Sequence, residues 1–141
     1  MAKSGPVILV EDDVDDQDFF EEALRWIGLE NELKVFPNAE EAFKYLKTTT
    51  EQPFIIFSDV NLPGLNGVEF KRKIDNDKEL REKSIPFAFL STSDDQQTVN
   101  IAYTQLTVQG YFKKPQSYDE LKALIKLIID YWQKCRHPNT F

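Results

Sequence analysis

Residues 54–59 read Phe54-Ile55-Ile56-Phe57-Ser58-Asp59, an apolar run that ends in a hydroxyl and a carboxylate. A continuous apolar run of this length predicts a strand buried on both faces, as in a parallel sheet covered by helices. The polar pair then lies at the carboxyl end of the strand, where open α/β sheets bind their ligands. This stretch therefore predicts a fold class and the place to look for a site.

Four other apolar runs have the same character. They are Val7–Val10, Leu33–Phe36, Phe87–Leu90 and Gly110–Phe112. A segment of helical periodicity follows each of the five runs. Strand–helix alternation repeated five times predicts an α/β doubly wound parallel sheet with right-handed crossovers.

Five helices are predicted from apolar residues at 3.6-residue spacing and from N-cap residues. The first covers the apolar positions Phe20 to Ile27, the second begins behind Asn38, the third runs from Asn66 through about Asp77, the fourth is capped near Ser93 or Asp94, and the last opens with the capping box Ser117–Glu120.

Composition narrows the class of protein. The 141 residues carry a net charge of −7 and one cysteine, Cys135. The length predicts a single domain with a core of about 6–134, a short tail of 135–141 that frays, and no room for an output domain. The negative charge argues against a nucleic-acid or anionic-membrane partner, and the lone cysteine suits the cytoplasm. No apolar run is long enough to cross a membrane.

Polar residues collect directly after four of the five apolar runs. They are Glu11, Asp12 and Asp13 after the first run, Ser58 and Asp59 after the third, Ser91 and Thr92 after the fourth, and Lys113, Lys114 and Pro115 after the fifth. The second run ends instead in Pro37, which places it away from the site. The carboxyl ends of the other four strands are expected to meet at one edge of the sheet.

This set of groups suits one reaction. Clustered carboxylates need a cation to neutralise them, and oxygen ligands suit a hard ion such as Mg²⁺, which also keeps a phosphate oxygen. A carboxylate can act as a nucleophile and form an aspartyl-phosphate. A hydroxyl and an ammonium then supply donors to the phosphoryl oxygens. The sequence therefore predicts Mg²⁺-assisted phosphoryl transfer to a carboxylate.

In order and spacing, Glu11-Asp12, Asp59, Ser91 and Lys114-Pro115 resemble the landmarks of the receiver domain of two-component response regulators. The resemblance runs from Val7 to about Lys134. It implies a flavodoxin-like, five-stranded parallel sheet of order 2-1-3-4-5 with five helices. The acidic opening is most similar to small stand-alone regulators, some of which partner phytochrome-type kinases.

The resemblance also implies a metal site. By it, Asp59 is the phosphoacceptor and a ligand of Mg²⁺, and Asp12 is a direct carboxylate ligand. Glu11 acts through water, and Asn61 offers its backbone carbonyl.

Further residues of the family's switch are implied in the same way. Ser91 is the hydroxyl that closes onto the phosphoryl group, at a position where Thr is more usual. Lys114 is the ammonium that contacts the phosphoryl group, and Thr92 contacts it through its backbone N–H. Tyr111 matches the aromatic residue that swings inward on activation, and the peptide before Pro115 is expected to be cis.

Other polar residues have simpler explanations. Asp13, Asp15, Asp16 and Asp18 are interpreted as charges that favour the dipole of the first helix. Lys113 is interpreted as a solvated loop residue and His137 as an exposed tail residue. Tyr111 could also be an ordinary half-buried strand aromatic, since aromatic residues favour strands.

The resemblance implies a signalling function. The chain would accept a phosphoryl group on Asp59 from a phosphohistidine of a sensor histidine kinase or phosphotransfer protein. It is not an enzyme in the ordinary sense, because it catalyses only its own phosphorylation and dephosphorylation. The face formed by the fourth helix, fifth strand and fifth helix would then bind a downstream protein or a second copy.

Two other functions compete with this one. A haloacid-dehalogenase-type phosphatase also uses an Asp nucleophile and Mg²⁺, but it places a second Asp two residues later, where this chain has Asn61. A phosphorylation-independent interaction domain with a decayed site is the third hypothesis. Retention of all five landmarks argues against decay, and a measurement has to decide.

Overall fold

A computed structural model describes residues 2–138, which form a five-stranded sheet flanked by helices. The strands are β1 (Val7–Val10), β2 (Leu33–Phe36), β3 (Ile55–Ser58), β4 (Phe87–Ser91) and β5 (Gly110–Lys113). The α-helices are α1 (Val14–Ile27), α2 (Ala39–Thr48), α3 (Gly67–Asn76), α4 (Lys78–Lys83), α5 (Gln96–Gln105) and α6 (Tyr118–Lys134).

The sheet has the order β2-β1-β3-β4-β5, and all of its strand pairs are parallel. This confirms the predicted doubly wound architecture and its strand order. The register pairs Val10 with Ser58, and Ser91 with Lys113. Ser58 in turn pairs with Phe89, so β4 and β5 run two residues further than β1 and β3. The residues at and just after these four strand ends share one edge of the sheet.

Alternate residues of each strand supply two separate cores. In β1, Ile8 and Val10 pack on the face covered by α2, α3, α4 and α5, whereas Val7 and Leu9 pack against α1 and α6. This alternation follows from the two-residue period of a strand. Because both faces are covered, all four residues of β1 are buried, as the continuous apolar run predicted.

The helices differ from the prediction in two places. Five helices were expected, but the structure has six within residues 2–138, because a short additional helix, α4, follows α3. Asp77 ends α3 and caps α4, where its carboxylate accepts a hydrogen bond from the Leu80 N–H. The cap of α5 is Asp95 rather than Ser93 or Asp94, because its carboxylate reaches the Thr98 N–H at 3.0 Å. A capping side chain must stand three residues before the N–H it accepts, and Asp95 has that spacing.

The described part of the tail packs against the domain, contrary to the expectation of fraying. His137 is 6% exposed, its Nε2 lies 2.5 Å from the carbonyl oxygen of Phe54, and its ring stacks on the Phe54 ring. The interpretation of His137 as exposed is therefore wrong, because an aromatic surface beside the sheet was available to cover it. Residues 139–141 of the tail lie outside the described residues. Within 2–138, no helix has the length and apolar character to cross a bilayer.

Candidate phosphoacceptor and metal site

Asp59 lies at the centre of the sheet's polar edge and makes three hydrogen bonds with backbone groups of its neighbours. Its N–H donates to the Val10 carbonyl oxygen at 3.1 Å, which ties it to the end of β1. Its Oδ1 accepts the N–H groups of Val60 at 2.7 Å and Asn61 at 3.2 Å. Asp59 is only 7% exposed, and a buried charge needs hydrogen bonds. These two N–H groups supply them and fix the orientation of the carboxylate.

Two predicted donors reach Asp59 from the neighbouring strands. The hydroxyl of Ser91, at the end of β4, donates to Asp59 Oδ1 at 2.6 Å. The ammonium of Lys114, just past β5, lies 3.2 Å from Asp59 Oδ2. The Lys114 N–H also donates to the Ser91 carbonyl oxygen at 2.8 Å, so the ladder between β4 and β5 continues into the site. The structure therefore brings Asp59, Ser91 and Lys114 together.

The acidic residues after β1 complete the cluster. Carboxylate oxygens of Glu11, Asp12 and Asp59 all lie within 4.8 Å of one another. Asp12 is exposed, whereas Glu11 and Asp59 are buried. Oxygen atoms of buried and exposed carboxylates at this spacing suit a divalent cation that keeps part of its water shell. The predicted carboxylate ligands are therefore close enough to hold one ion.

Asp16 belongs to the site, although the sequence interpretation assigned it to the helix dipole. Its Oδ2 accepts a hydrogen bond from Lys114 Nζ at 2.9 Å. Helical spacing could have identified it, because Asp16 stands four residues before the buried Phe20 and so shares the face of α1 that turns toward the sheet. Asp13 is the N-cap of α1, as expected, and accepts the Asp16 N–H at 3.0 Å.

The electrostatics of the site are dominated by an excess of carboxylates over cations. Burial raises the pKa of Glu11 to about 7, against the opposing effect of its hydrogen bond to Lys114, and the charge of Asp59 adds to the rise. Burial alone would lower the pKa of Lys114, but its contacts with Glu11, Asp16 and Asp59 raise it above the ordinary value. Lys114 therefore stays charged, whereas burial, with a smaller contribution from the charge of Asp59, disfavours the ionised form of Glu11.

The remaining predicted residues line the rim of the site. Thr92 directly follows Ser91 and is exposed, as is Asn61. Tyr111 is half-buried against the ring of Phe89, and its hydroxyl donates to the carbonyl oxygen of Ser93. Lys113 forms an exposed ion pair with Asp94, which agrees with its interpretation as a solvated loop residue.

The peptide before Pro115 is trans, so the expectation of a cis bond is wrong. No described peptide bond is cis. The trans isomer is the favoured form of an X–Pro bond unless surrounding contacts select the other. Here the backbone and side-chain contacts of Lys114 are all made with the trans peptide.

The backbone of α3 approaches the segment Asp59–Val60 closely at Gly67. Its N–H donates to the Val60 carbonyl oxygen at 2.8 Å. A Cβ at this position would lie 2.1 Å from the carbonyl oxygen of Asp59. No side chain can occupy that space, so only glycine allows α3 to begin here.

A cavity of ≈ 230 Å³ opens beside the site. Its polar wall contains Glu11, Asp59 and Lys114, and its apolar wall includes Phe20 and Leu121. The cavity leaves open space beside Asp59 on the side of α1 and α6.

The fold and the site together define a receiver domain. The family model for the response regulator receiver domain matches residues 7–126, and the chain belongs to that family.

Similar proteins include several response regulators. The chain is 28% identical to the response regulator Rcp1 of Synechocystis sp. over 131 residues, which are 89% of this chain and 87% of Rcp1. It is also 28% identical to the DNA-binding transcriptional regulator NtrC of Escherichia coli over 136 residues, but it spans only 27% of the length of NtrC.

Two solved structures are similar over almost the whole chain. The phosphorylated cyanobacterial phytochrome response regulator RcpA superimposes with a TM-score of 0.85 at 28% identity, covering 96% of this chain and 98% of RcpA. The Mn²⁺-bound form of Rcp1 gives a TM-score of 0.82 at 25% identity, covering 96% and 99%. A divalent metal is thus present in a similar structure, in agreement with the acidic cluster of this chain.

Proposed function

We propose that this chain is a single receiver domain, spanning 1–141, that accepts a phosphoryl group on Asp59 in a Mg²⁺-dependent reaction. The observation that carries the proposal is the convergence on one buried carboxylate of a hydroxyl from β4, an ammonium from β5 and two further carboxylates from β1. These groups come from three other strand ends, and together they match the needs of phosphoryl transfer.

The residues of the chain divide the work of the reaction. An oxygen of Asp59 attacks the phosphorus, the O–P bond forms, and the bond from phosphorus to the donor nitrogen breaks. Backbone N–H groups of Val60 and Asn61 fix the direction of the carboxylate. Lys114 and Ser91, which now contact Asp59, are placed to donate to the phosphoryl oxygens. The N–H of Thr92 would donate to the same group.

The acidic cluster fits the ion that the reaction needs. Asp12 and Asp59 would bind Mg²⁺ directly, Asn61 through its carbonyl oxygen and Glu11 through water. When bound, the ion supplies positive charge that offsets the carboxylates and the developing charge on the phosphoryl oxygens.

The donor of the phosphoryl group to Asp59 would be a protein that carries a phosphohistidine. Receiver domains act with sensor histidine kinases or phosphotransfer proteins, and the similarity to Rcp1 and RcpA makes a phytochrome-type kinase the first donor to test. The likeness to Rcp1 and RcpA over most of their length supports a response regulator that signals by protein contacts. Its proposed location is the cytoplasm. The contact face would be α5, β5 and α6, with a downstream protein or a second copy as the partner, and neither nucleic acid nor membrane.

The experiment is phosphorylation by acetyl phosphate or phosphoramidate in the presence of Mg²⁺. One phosphoryl group should be added, labile to acid and to hydroxylamine, and chelation of Mg²⁺ or the change Asp59→Asn should reduce labelling at least about 100-fold. Asp18→Asn, an exposed residue of α1, is the matched control and should label normally. No incorporation, or labelling that survives Asp59→Asn, would refute the proposal and favour a phosphorylation-independent module.

A further inference from the structure

A continuous chain of hydrogen bonds leads from the phosphoacceptor to the surface of α5. Ser91 Oγ donates to Asp59 Oδ1 at 2.6 Å and accepts the Ser93 N–H at 3.1 Å. The Ser93 carbonyl oxygen accepts the hydroxyl of Tyr111. The N–H of Tyr111 then donates to the hydroxyl of Tyr103 at 2.9 Å. Each of the five residues is bonded to the next.

The two ends of this chain of hydrogen bonds differ in exposure, from buried at Asp59 and Ser91 to exposed at Tyr103. Asp59 and Ser91 are buried, at 7% and 0% exposure, and Ser93 and Tyr111 are half-buried. Tyr103 is 54% exposed. The chain therefore starts at the reacting carboxylate and ends at a large side chain that another protein can reach.

The contact made by Tyr103 involves an edge of the sheet. β5 is the last strand in the order, and Tyr111 aligns with Phe89 of β4. The Tyr111 N–H bonds to the Tyr103 hydroxyl rather than to a strand. Tyr111 is consequently held at two points, its ring hydroxyl by Ser93 and its backbone by Tyr103. An ordinary surface tyrosine has no such contact with the backbone of a switch residue.

We propose that Tyr103 is a positioning residue that holds Tyr111 in its half-buried orientation and connects the state of Asp59 to the exposed surface of α5. The inference rests on the proposed phosphoacceptor function. Coupling between two sites is reciprocal. A protein that binds α5 and takes the Tyr103 hydroxyl therefore changes the affinity of the Asp59 site for a phosphoryl group by the same factor as phosphorylation changes its own binding.

The experiment is a double-mutant cycle read out by binding of beryllofluoride, a mimic of the phosphoryl group, in the presence of Mg²⁺. Tyr103→Phe removes only the hydroxyl and should lower the affinity about threefold to tenfold, the equivalent of one net hydrogen bond. In the Tyr111→Phe background, which lacks the bond to Ser93, the same change should alter affinity less than about twofold. The NMR signals of the Tyr111 ring should change when Tyr103→Phe removes this hydrogen bond.

Tyr131→Phe is the matched control, because Tyr131 is 61% exposed on α6 and lies outside the hydrogen-bond chain. It should leave the affinity unchanged. Equal effects of Tyr103→Phe in both backgrounds, or no effect in the wild type, would overturn the coupling while leaving the phosphoacceptor assignment intact. Failure of beryllofluoride to bind the wild-type protein would instead overturn that assignment, and the coupling with it.

Discussion

Two lysines, the half-buried Lys114 and the buried Lys71, lie near opposite ends of the sheet, and their surroundings differ in charge balance. Lys114, at the carboxyl ends, contacts three carboxylates, those of Glu11, Asp16 and Asp59. Lys71 of α3 packs over the ring of Phe87 at the amino end of β4.

Within residues 2–138, the ion pair of Lys71 is with Asp75, at 2.9 Å. Burial lowers the pKa of Lys71, which its pairing with Asp75 only partly offsets. Asp75 also accepts the N–H and hydroxyl of Thr107, at 2.9 and 2.6 Å. Burial would raise the pKa of Asp75, but these hydrogen bonds and Lys71 lower it. The pair is balanced and satisfied within the protein.

The difference in charge balance suggests different roles for the two lysine sites. A one-to-one pair closed by further hydrogen bonds needs nothing from outside, so the Lys71 pair fixes α3 against the loop before β5. An excess of carboxylates can be relieved only by a proton, a metal ion or a change in charge at the site. We therefore expect the Lys114 cluster to respond to ligands and the Lys71 pair not to.

The largest expected effect concerns the balanced pair. Lys71→Ala leaves Asp75 without its cation, and we expect the free energy of unfolding to fall by about 3–5 kcal/mol, as for other broken buried pairs. Urea unfolding measures this. Lys44→Ala, an exposed change on α2, should stay within about 0.5 kcal/mol. If Lys71→Ala lowered the free energy of unfolding as little as the control, the Lys71–Asp75 pair would not be the structural contact that we infer.

The second effect concerns ligand response at the unbalanced cluster. Mg²⁺ at 100 times its dissociation constant should raise the free energy of unfolding by about 2.7 kcal/mol, by mass action. Asp12→Ala should remove most of this gain at the same ion concentration without lowering the metal-free stability, since Asp12 is exposed. Asp18→Ala is the control and should keep the gain. Equal stabilisation of both variants would place the ion elsewhere.

The smallest effect is a pH dependence caused by Glu11. Its pKa is raised from 4.5 to about 7 in the folded protein, so the folded state keeps a proton that the unfolded state releases in this window. The stability from protonated Glu11 is fully present below pH 4.5 and is lost as the pH rises through about 7. Glu11→Gln cannot ionise, and at pH 8 without metal it should be more stable than the wild type by ~1–3 kcal/mol.

The control for this pH dependence is Glu30→Gln, at an exposed position after α1. Unfolding curves between pH 4 and 8 should superimpose on those of the wild type for Glu30→Gln and flatten for Glu11→Gln. A wild-type stability that rises from pH 4 to 8 would contradict a raised pKa of Glu11 in the folded protein.

Most of the fold could be predicted from the sequence because each buried strand is a continuous apolar run. The same runs locate the candidate site, since Asp59 and Lys114 directly follow β3 and β5, and Ser91 is the last residue of β4. The role of Asp16 was missed because its acidic neighbours all suit a helix start. Only its spacing from Phe20 distinguishes it.

The remaining errors arise from contacts between distant segments. Asp77 ends one helix and caps another, which local propensity does not separate. The burial of His137 depends on Phe54, 83 residues away. The Lys71–Asp75 pair was not predicted as buried, because a lysine and an aspartate at i and i+4 are more typical of a solvated helix face. Tertiary packing decided these positions.

The close approach at Gly67 restricts which parts of the domain can move. With its N–H bonded to Val60 and no room for a Cβ beside the Asp59 carbonyl, the first turn of α3 is packed tightly against the segment that carries Asp59. We therefore expect a change at Asp59 to displace the start of α3 less than the β4–β5–α5 side of the domain, which contacts Asp59 through the side chain of Ser91. A larger residue at position 67 would force these two segments apart.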